Sequence, residues 1–335
     1  MLNRLLSHDL PKSRWLSAAL ILIVLGLAFA PLLFPGSKAL GVAAKMLVFI
    51  VLVASYDLLL GYTGIVSFAH TMFFGIGAYG VAIASTRLGE GWLAVAVGLA
   101  AALAISLALS LVIGLFSLRV KAIFYAMITL AVASAFQTLA SQLSEFTGGE
   151  DGLTFRNPEW LSPSFEPFDA PWFGVTLDGK VLTYWLLFVA ATVLFLLLLR
   201  IVNSPFGRVL QAIRDAEMRV MFTGYNPLAY KLSIWTLSAV MCGVAGALYV
   251  PQVGIINPGE MSPAASIEIA IWAAVGGRAT LIGPIVGAFF VNGAKSWFTV
   301  AFPEYWLFFL GALFIAVTLF LPNGLVGLFR RRGRE

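Results

Sequence analysis

The chain has 335 residues, of which 60% are hydrophobic and only 11% charged, with a mean hydropathy of +0.95 and a formal net charge of +5. Soluble domains carry roughly 25% charged residues, so this chain cannot cover a water-facing surface, and neither an ordinary soluble enzyme nor a disordered protein fits. The apolar residues fall in blocks of about 20, the length that crosses ~30 Å of hydrocarbon at 1.5 Å per residue. The expectation is an all-α, polytopic helical membrane protein with about ten transmembrane helices in one domain, residues 1–335.

In chain order the blocks are 16–34, 39–60, 62–85, 92–117, 122–143, 181–199, 230–250, 265–277, 279–300 and 305–321. The first follows a basic stretch (Arg4, Lys12, Arg14). It is long for the apolar part of a signal peptide, Pro31 and Pro35 end it, and no A-x-A site follows, so it reads as a retained helix. Orientation follows from the basic residues. With the N-terminus inside, 15 of the 21 Lys and Arg fall on inner segments; Lys38, Arg87, Arg156 and Lys180 fall outside, and Lys45 and Lys295 lie within spans. That asymmetry places both termini in the cytoplasm. The block 265–277 is short for a span, about 20 Å of helix, and is expected to be short or broken around Gly276-Gly277.

Two loops are long. Residues 144–180 are outside and acidic, rich in aromatics and prolines, and read as an ordered cap, either a loop over helix ends or a docking surface. Residues 200–229 are inside and basic, helix-like from Phe206 to Phe222, and closed by Gly224 and Asn226-Pro227. A helix with mixed charges (Arg214, Asp215, Glu217, Arg219) between two spans is either a solvated face or a stiff lever for a partner.

Polar side chains inside spans mark pathways. In the third block Thr63, Ser67, His70, Thr71 and Phe74 are spaced to share one helical face, beside glycines that permit close approach. The bland alternative is helix–helix contact through hydroxyls, with His70 a packed, hydrogen-bonded histidine. The fifth block carries Ser134, Gln137, Thr138 and Ser141; the eighth Glu268 and Trp272, one turn apart; the ninth Asn292, Lys295, Ser296 and Thr299. Ala239, Gly243 and Ala247 form a small-residue packing stripe on the seventh. Of the membrane-located charges, Asp57, Lys45, Glu268 and Lys295, both lysines read as snorkelling toward an interface, with pairing of Lys295 to Glu304 or Glu268 as the alternative. The four spans from 39 to 143 and the four from 230 to 321 start on opposite sides, the arrangement of an inverted repeat.

The single cysteine, Cys242, forms no intrachain disulfide, and His8 and His70 are too far apart in sequence for a helical metal pair. No G-x-x-x-x-G-K-[ST] loop occurs, so no metal or cofactor is expected on this chain, and energy must come from a partner or an ion gradient.

The run Gly61–Tyr79 (GYTGIVSFAHTMFFGIGAY) resembles the glycine-rich signature of ABC importer permeases for branched-chain amino acids and relatives, as does FGRVLQAIRDAE from Phe206 to Glu217 with Gly224 after it. The resemblance covers nearly the whole chain. It implies a second, related permease, two cytoplasmic ATPases carrying Mg-ATP, a periplasmic solute-binding protein, and an inner-membrane location. The resemblance also implies that the segment bearing Arg208, Arg214, Asp215, Glu217, Arg219 and Gly224 docks on the ATPase. The stretches YVPQVGIINPGEMS (Tyr249–Ser262), SIEIAIWAAVGGR (Ser266–Arg278), NGAKSWF (Asn292–Phe298), FPEYW (Phe302–Trp306) and RDAEMRVMFTGYNP (Arg214–Pro227) look most like the urea branch, whereas TGGEDGL (Thr147–Leu153) resembles amino-acid permeases equally. Urea is therefore the first expectation, with Thr63, Ser67, His70, Thr71, Gln137, Glu268 and Trp272 along the route. A permease for branched-chain or other amino acids is the alternative, and a stand-alone secondary transporter or channel the second. A zwitterion would want a helix N-terminus for its carboxylate and a charged partner in the route.

Overall fold

Each of the ten apolar blocks is centred on a helix in the computed structural model, which describes residues 14–33, 37–120, 122–162, 165, 178–320 and 324–331. The helices are α1 (Arg14–Ala28), α2 (Ser37–Leu60), α3 (His70–Leu88), α4 (Trp92–Ser117), α5 (Ala122–Gln142), α6 (Gly179–Val202), α7 (Pro205–Phe222), α8 (Pro227–Val253), α9 (Pro263–Gly276), α10 (Ile282–Ala301), α11 (Trp306–Phe320) and α12 (Gly324–Arg331), with single turns at Ala30–Leu33 and Ser144–Thr147. Among the described residues α2, α4, α5, α6 and α8 are long and apolar enough to cross a membrane, and shorter apolar helices stand beside them. The chain is a polytopic helical membrane protein. Expectations resting on Arg4, His8, Lys12, Lys121, Arg332 and Arg334, or on the 163–177 part of the cap other than Phe165, lie outside the described residues.

Local chemistry sets several helix starts. Ser204-Pro205, Asn226-Pro227 and Ser262-Pro263 each place a capping side chain before a proline at the first helical position; their side-chain oxygens accept from the amides of Gly207, Leu228 and Ala265. The missing proline N–H has no partner to lose there. Asn226-Pro227, expected to close the inner helix, thus opens α8.

Two expectations need correction. The third block is not helical from 62: α3 begins at His70, and 61–69 is an irregular stretch. Gly64, at φ +73, takes a left-handed conformation that interrupts the helix. The backbone finds other partners: Ile65 N–H donates to Leu59 O, Phe68 N–H to Thr129 Oγ1 and Ala69 N–H to Ser67 Oγ. Thr63 and Ser67 therefore share no helical face with His70 and Thr71. Second, α7 is not one stiff helix. Ala216 (φ −159, ψ 73) breaks it between Asp215 and Glu217.

The packing follows a two-fold plan. α2 and α8, the most buried of the long helices, pack against each other at the centre. α2 leads through 61–69 into α3, which packs on α4 and α8; α8 leads through 254–262 into α9, which packs on α10 and α2. α4 also lies against α8, as α10 lies against α2. Each short helix thus packs on its successor and on the other half's first helix, the contact pattern of an inverted repeat. Backbone-to-backbone approach permits it: a side chain at Gly77 would collide with Gly243 O, and one at Gly276 with Gly283 O. Gly243, from the Ala239–Gly243–Ala247 stripe, and Gly246 thus seat α3, at Gly77 and Phe74. α6 packs on α2 and α8 outside this plan.

At the end remote from α7, the described part of the 144–180 loop is ordered. Strand β1 (Leu153–Thr154) pairs antiparallel with β2 (Ile255–Ile256), and Phe155 N–H donates to Gly254 O at 2.9 Å. The outer loop of the first half is thereby tied to the turn that precedes α9.

Candidate functional site

Three groups of polar residues stand out, beginning where the N-termini of α3 and α9 meet. Thr71 Oγ1 lies 2.6 Å from Ser266 Oγ and donates within 2.9 Å of Ser262 O; Thr71 N–H donates to Ser266 Oγ at 3.2 Å. α9 thus satisfies a first-turn amide of α3, where amides have no partner within their own helix, and the Thr71 hydroxyl of α3 bonds back to the start of α9. Thr71 and Ser266 are buried, so the junction is closed in this conformation. His70, one residue earlier, faces elsewhere. Ser238 Oγ donates to Ser55 O, so it accepts from His70 Nε2–H at 2.8 Å, which leaves Nδ1 as a bare acceptor. Among the described residues Nδ1 has no hydrogen-bond partner. The ring sits edge-on between Tyr56 and Trp235, and Cys242 Sγ donates to His70 O. His70 is thus a fully buried, hydrogen-bonded core residue.

The second group lines the α9–α10 hairpin and its approach. Lys295 Nζ contacts both Glu268 oxygens, at 2.8 and 3.0 Å, with side chains 37% and 17% exposed. This is one of the two partners its position on α10 allowed. One turn along α9, Trp272 packs edge-on to Phe49, and its Nε1–H is buried without a hydrogen-bond partner among the described residues. Tyr249 Oη donates to Glu260 Oε1 at 3.2 Å, and Lys45 Nζ stands 6.0 Å from the Tyr249 ring centroid. Gln137 is half-buried on α5, the helix that packs against the Pro258–Met261 turn. Its neighbours Ser134, Thr138 and Ser141 donate to carbonyls of their own helix.

The third group lies at the α7 end. Arg214 Nη1 donates to Gly61 O at 2.6 Å and its Nε to Asp215 Oδ1 at 2.9 Å. A side chain at Gly64 would touch Arg214 Cγ. On the other side of the break, Glu217 accepts from Lys231 Nζ of α8 at 2.6 Å. Buried Asp57 accepts from the amide of Ala279, a non-glycine at φ +61 in the turn between α9 and α10. Thr63 Oγ1 donates to Leu59 O, closing the end of α2. Arg208, Arg219 and Gly224 are exposed, Gly224 at φ +88 just past the end of α7.

Thr71 is thus joined to Ser262 and Ser266, Glu268 to Lys295, and the α7 residues to both halves of the bundle; Thr63, Ser67, His70 and Trp272 are placed separately. The sequence reading missed Met218, Met221, Phe222 and Tyr225, which form an exposed apolar tip on and just after α7, Phe222 being 87% exposed. Their signal was present: four large apolar residues in an otherwise polar segment.

Residues 38–318 match the family described as "Branched-chain amino acid transport system / permease component". Among curated relatives, the high-affinity branched-chain amino acid transport system permease protein LivM of Salmonella typhimurium is 25% identical over 92% of this chain and 74% of its own length, and LivM of Escherichia coli (strain K12) is 26% identical over the same shares. The permease protein LivH of that system in Escherichia coli (strain K12) is 24% identical over 81% of this chain and 89% of its own length. No solved structure matches.

Proposed function

Because the chain belongs to the branched-chain amino acid transport system permease family, we propose that it is one membrane-spanning subunit of an ATP-driven importer for an amino acid with an apolar side chain. The relatives' names favour this solute over urea, which the 249–278 and 292–306 motifs had put first. The implied partners are a second, related permease, two ATPases and an external solute-binding protein, with both termini and α7 on the cytoplasmic side of the inner membrane.

The observation that carries the proposal is α7. It is a polar helix between two apolar spans, with Met218, Met221 and Phe222 exposed near its tip and Arg214 and Glu217 fixed to opposite halves of the bundle. Exposed apolar residues ringed by charge are the signature of a protein contact, and motion imposed on this tip reaches Gly61 and Lys231 directly. Two further features suit a zwitterionic solute. The α3 and α9 N-termini are favourable to a carboxylate, and Glu260, Glu268, Lys45 and Lys295 lie on the α8–α10 side of that junction.

The test is uptake by the full complex in vesicles, with labelled leucine and labelled urea compared. Leucine uptake that needs ATP and the binding protein is expected. Urea uptake without leucine uptake would return the solute assignment to urea, and uptake by this chain alone without ATP would remove the importer reading. Arg214→Ala is expected to lower solute-stimulated ATP hydrolysis by roughly tenfold while membrane insertion is retained, since a charge-assisted hydrogen bond of about 1.5–3 kcal/mol is lost at the moving joint. Unchanged stimulation would show that Arg214 carries no motion.

A further inference from the structure

The segment that leads into α9 is tied at both ends. At its inner end Thr71 Oγ1 bonds to Ser262 O and Ser266 Oγ, which closes the junction of α3 and α9. At its outer end β2 pairs with β1 through Leu153–Ile256 and Thr154–Ile255. Only residues 257–261 separate the two ties, and four of them form the Pro258–Met261 turn. That turn is stiff. Pro258 has a fixed backbone angle, Tyr249 Oη donates to Glu260 Oε1, and Met261 is buried against α3, where a side chain at Gly75 would strike it. A segment this short and constrained carries a displacement of β2 to Ser262.

The outer tie is built to part. A ladder of two residue pairs is marginal in stability, and Thr154 and Ile255 are exposed. Each strand follows a left-handed glycine, Gly152 at φ +80 and Gly254 at φ +77, positions at which a backbone turns as a hinge. Few buried contacts and exposed backbone bonds mark the parts of a fold that open first.

We propose, on the importer reading above, that the β1–β2 pair is the outer latch of the route. Paired, it holds the start of α9 against Thr71 and keeps the junction shut. Parted, it lets 254–262 swing at Gly254, draws Met261 and Ser262 away from α3, and opens the junction from outside. The outer loop then becomes the place where an external binding protein acts on a buried gate.

The ladder offers its own clamp. Phe155 and Gly254 form a hydrogen-bonded pair, so Thr154 and Ile255, next along, form a non-hydrogen-bonded pair, whose side chains stand closer and at a spacing that a disulfide can bridge. The native Cys242 is buried and takes no part. In vesicles holding the full complex, Thr154→Cys with Ile255→Cys, oxidised by copper phenanthroline until the free thiols are lost, is expected to lower leucine uptake about tenfold. Dithiothreitol is expected to restore it. Full uptake with the clamp closed overturns the latch and leaves the importer reading standing.

A second measurement needs no transport. Ser266→Cys reports the junction through its labelling by a membrane-impermeant maleimide added outside. Gly152→Ala, which puts a methyl group on a left-handed residue facing Ile256 O, is expected to raise that labelling about fivefold, and the oxidised clamp to reduce it to background. Equal labelling in all three backgrounds overturns the proposal, and labelling also decides the case in which dithiothreitol fails to restore uptake. Labelling that follows the latch while the unmodified complex takes up no leucine removes the solute assignment and not the latch.

Discussion

The α3–α4 and α9–α10 hairpins occupy equivalent places in the two-fold plan and are filled differently. α3 is buried along most of its length, with His70 bonded to Ser238 and Thr71 to Ser262 and Ser266, while His70 Nδ1 and Tyr79 Oη are buried without a hydrogen-bond partner among the described residues. α9 and α10 carry a partly exposed ion pair, Glu268–Lys295, and a buried indole N–H at Trp272 without a partner among the described residues. The same helix-on-helix geometry thus serves as a sealed bearing in one half and as a surface with chemistry available in the other. Position in a repeat fixes the packing a helix must make, and leaves its remaining faces free to diverge.

The largest test of this contrast is steric. Gly77→Val would drive a side chain into Gly243 O and is expected to abolish assembled protein, judged by a monodisperse peak in detergent, whereas Gly293→Val on α10, with open space around it, is expected to assemble normally. If both variants assembled, the close approach of α3 to α8 would not be a requirement of the fold. Next comes His70→Ala, expected to cost about 3 kcal/mol through a cavity and lost hydrogen bonds, seen as a lowered thermal midpoint. Glu268→Gln in the other half is expected to cost at most about 1 kcal/mol, because the pair is partly exposed, and to show itself in uptake instead. A His70 variant of unchanged stability that lost transport would reverse the two roles. The smallest effect belongs to Ala279→Gly, expected to stabilise by about 1 kcal/mol by relieving a left-handed alanine; a lowered midpoint would mean that the turn needs its methyl group.

Hydropathy made the helices legible, because twenty apolar residues in a row have few other uses. The shortness of α9 and the Glu268–Lys295 pair were legible too, the one from length and the other from the scarcity of charges inside spans. The start of α3 was not, since the hydroxyls of 63–71 keep a helical spacing that the backbone does not follow once Gly64 turns left-handed. The break at Ala216 had no signal, alanine being the best helix former. Nor did the reach of Arg214 to Gly61, a contact between residues 153 apart in the chain that only the closure of the bundle creates. The inverted repeat was visible as a count of spans and needed the packing to become a correspondence between helices.

The break at Ala216 also changes how force enters the molecule. An unbroken rod pushed at its tip would deliver one thrust to whatever holds it. A jointed rod pinned at Arg214 to the first half and at Glu217 to the second works like a yoke: a single displacement becomes two pulls on the two sides of the pseudo-symmetry axis. Under the proposed coupling their ratio would depend on how far the joint bends, so two halves built on one plan would receive unequal shares of the same stroke.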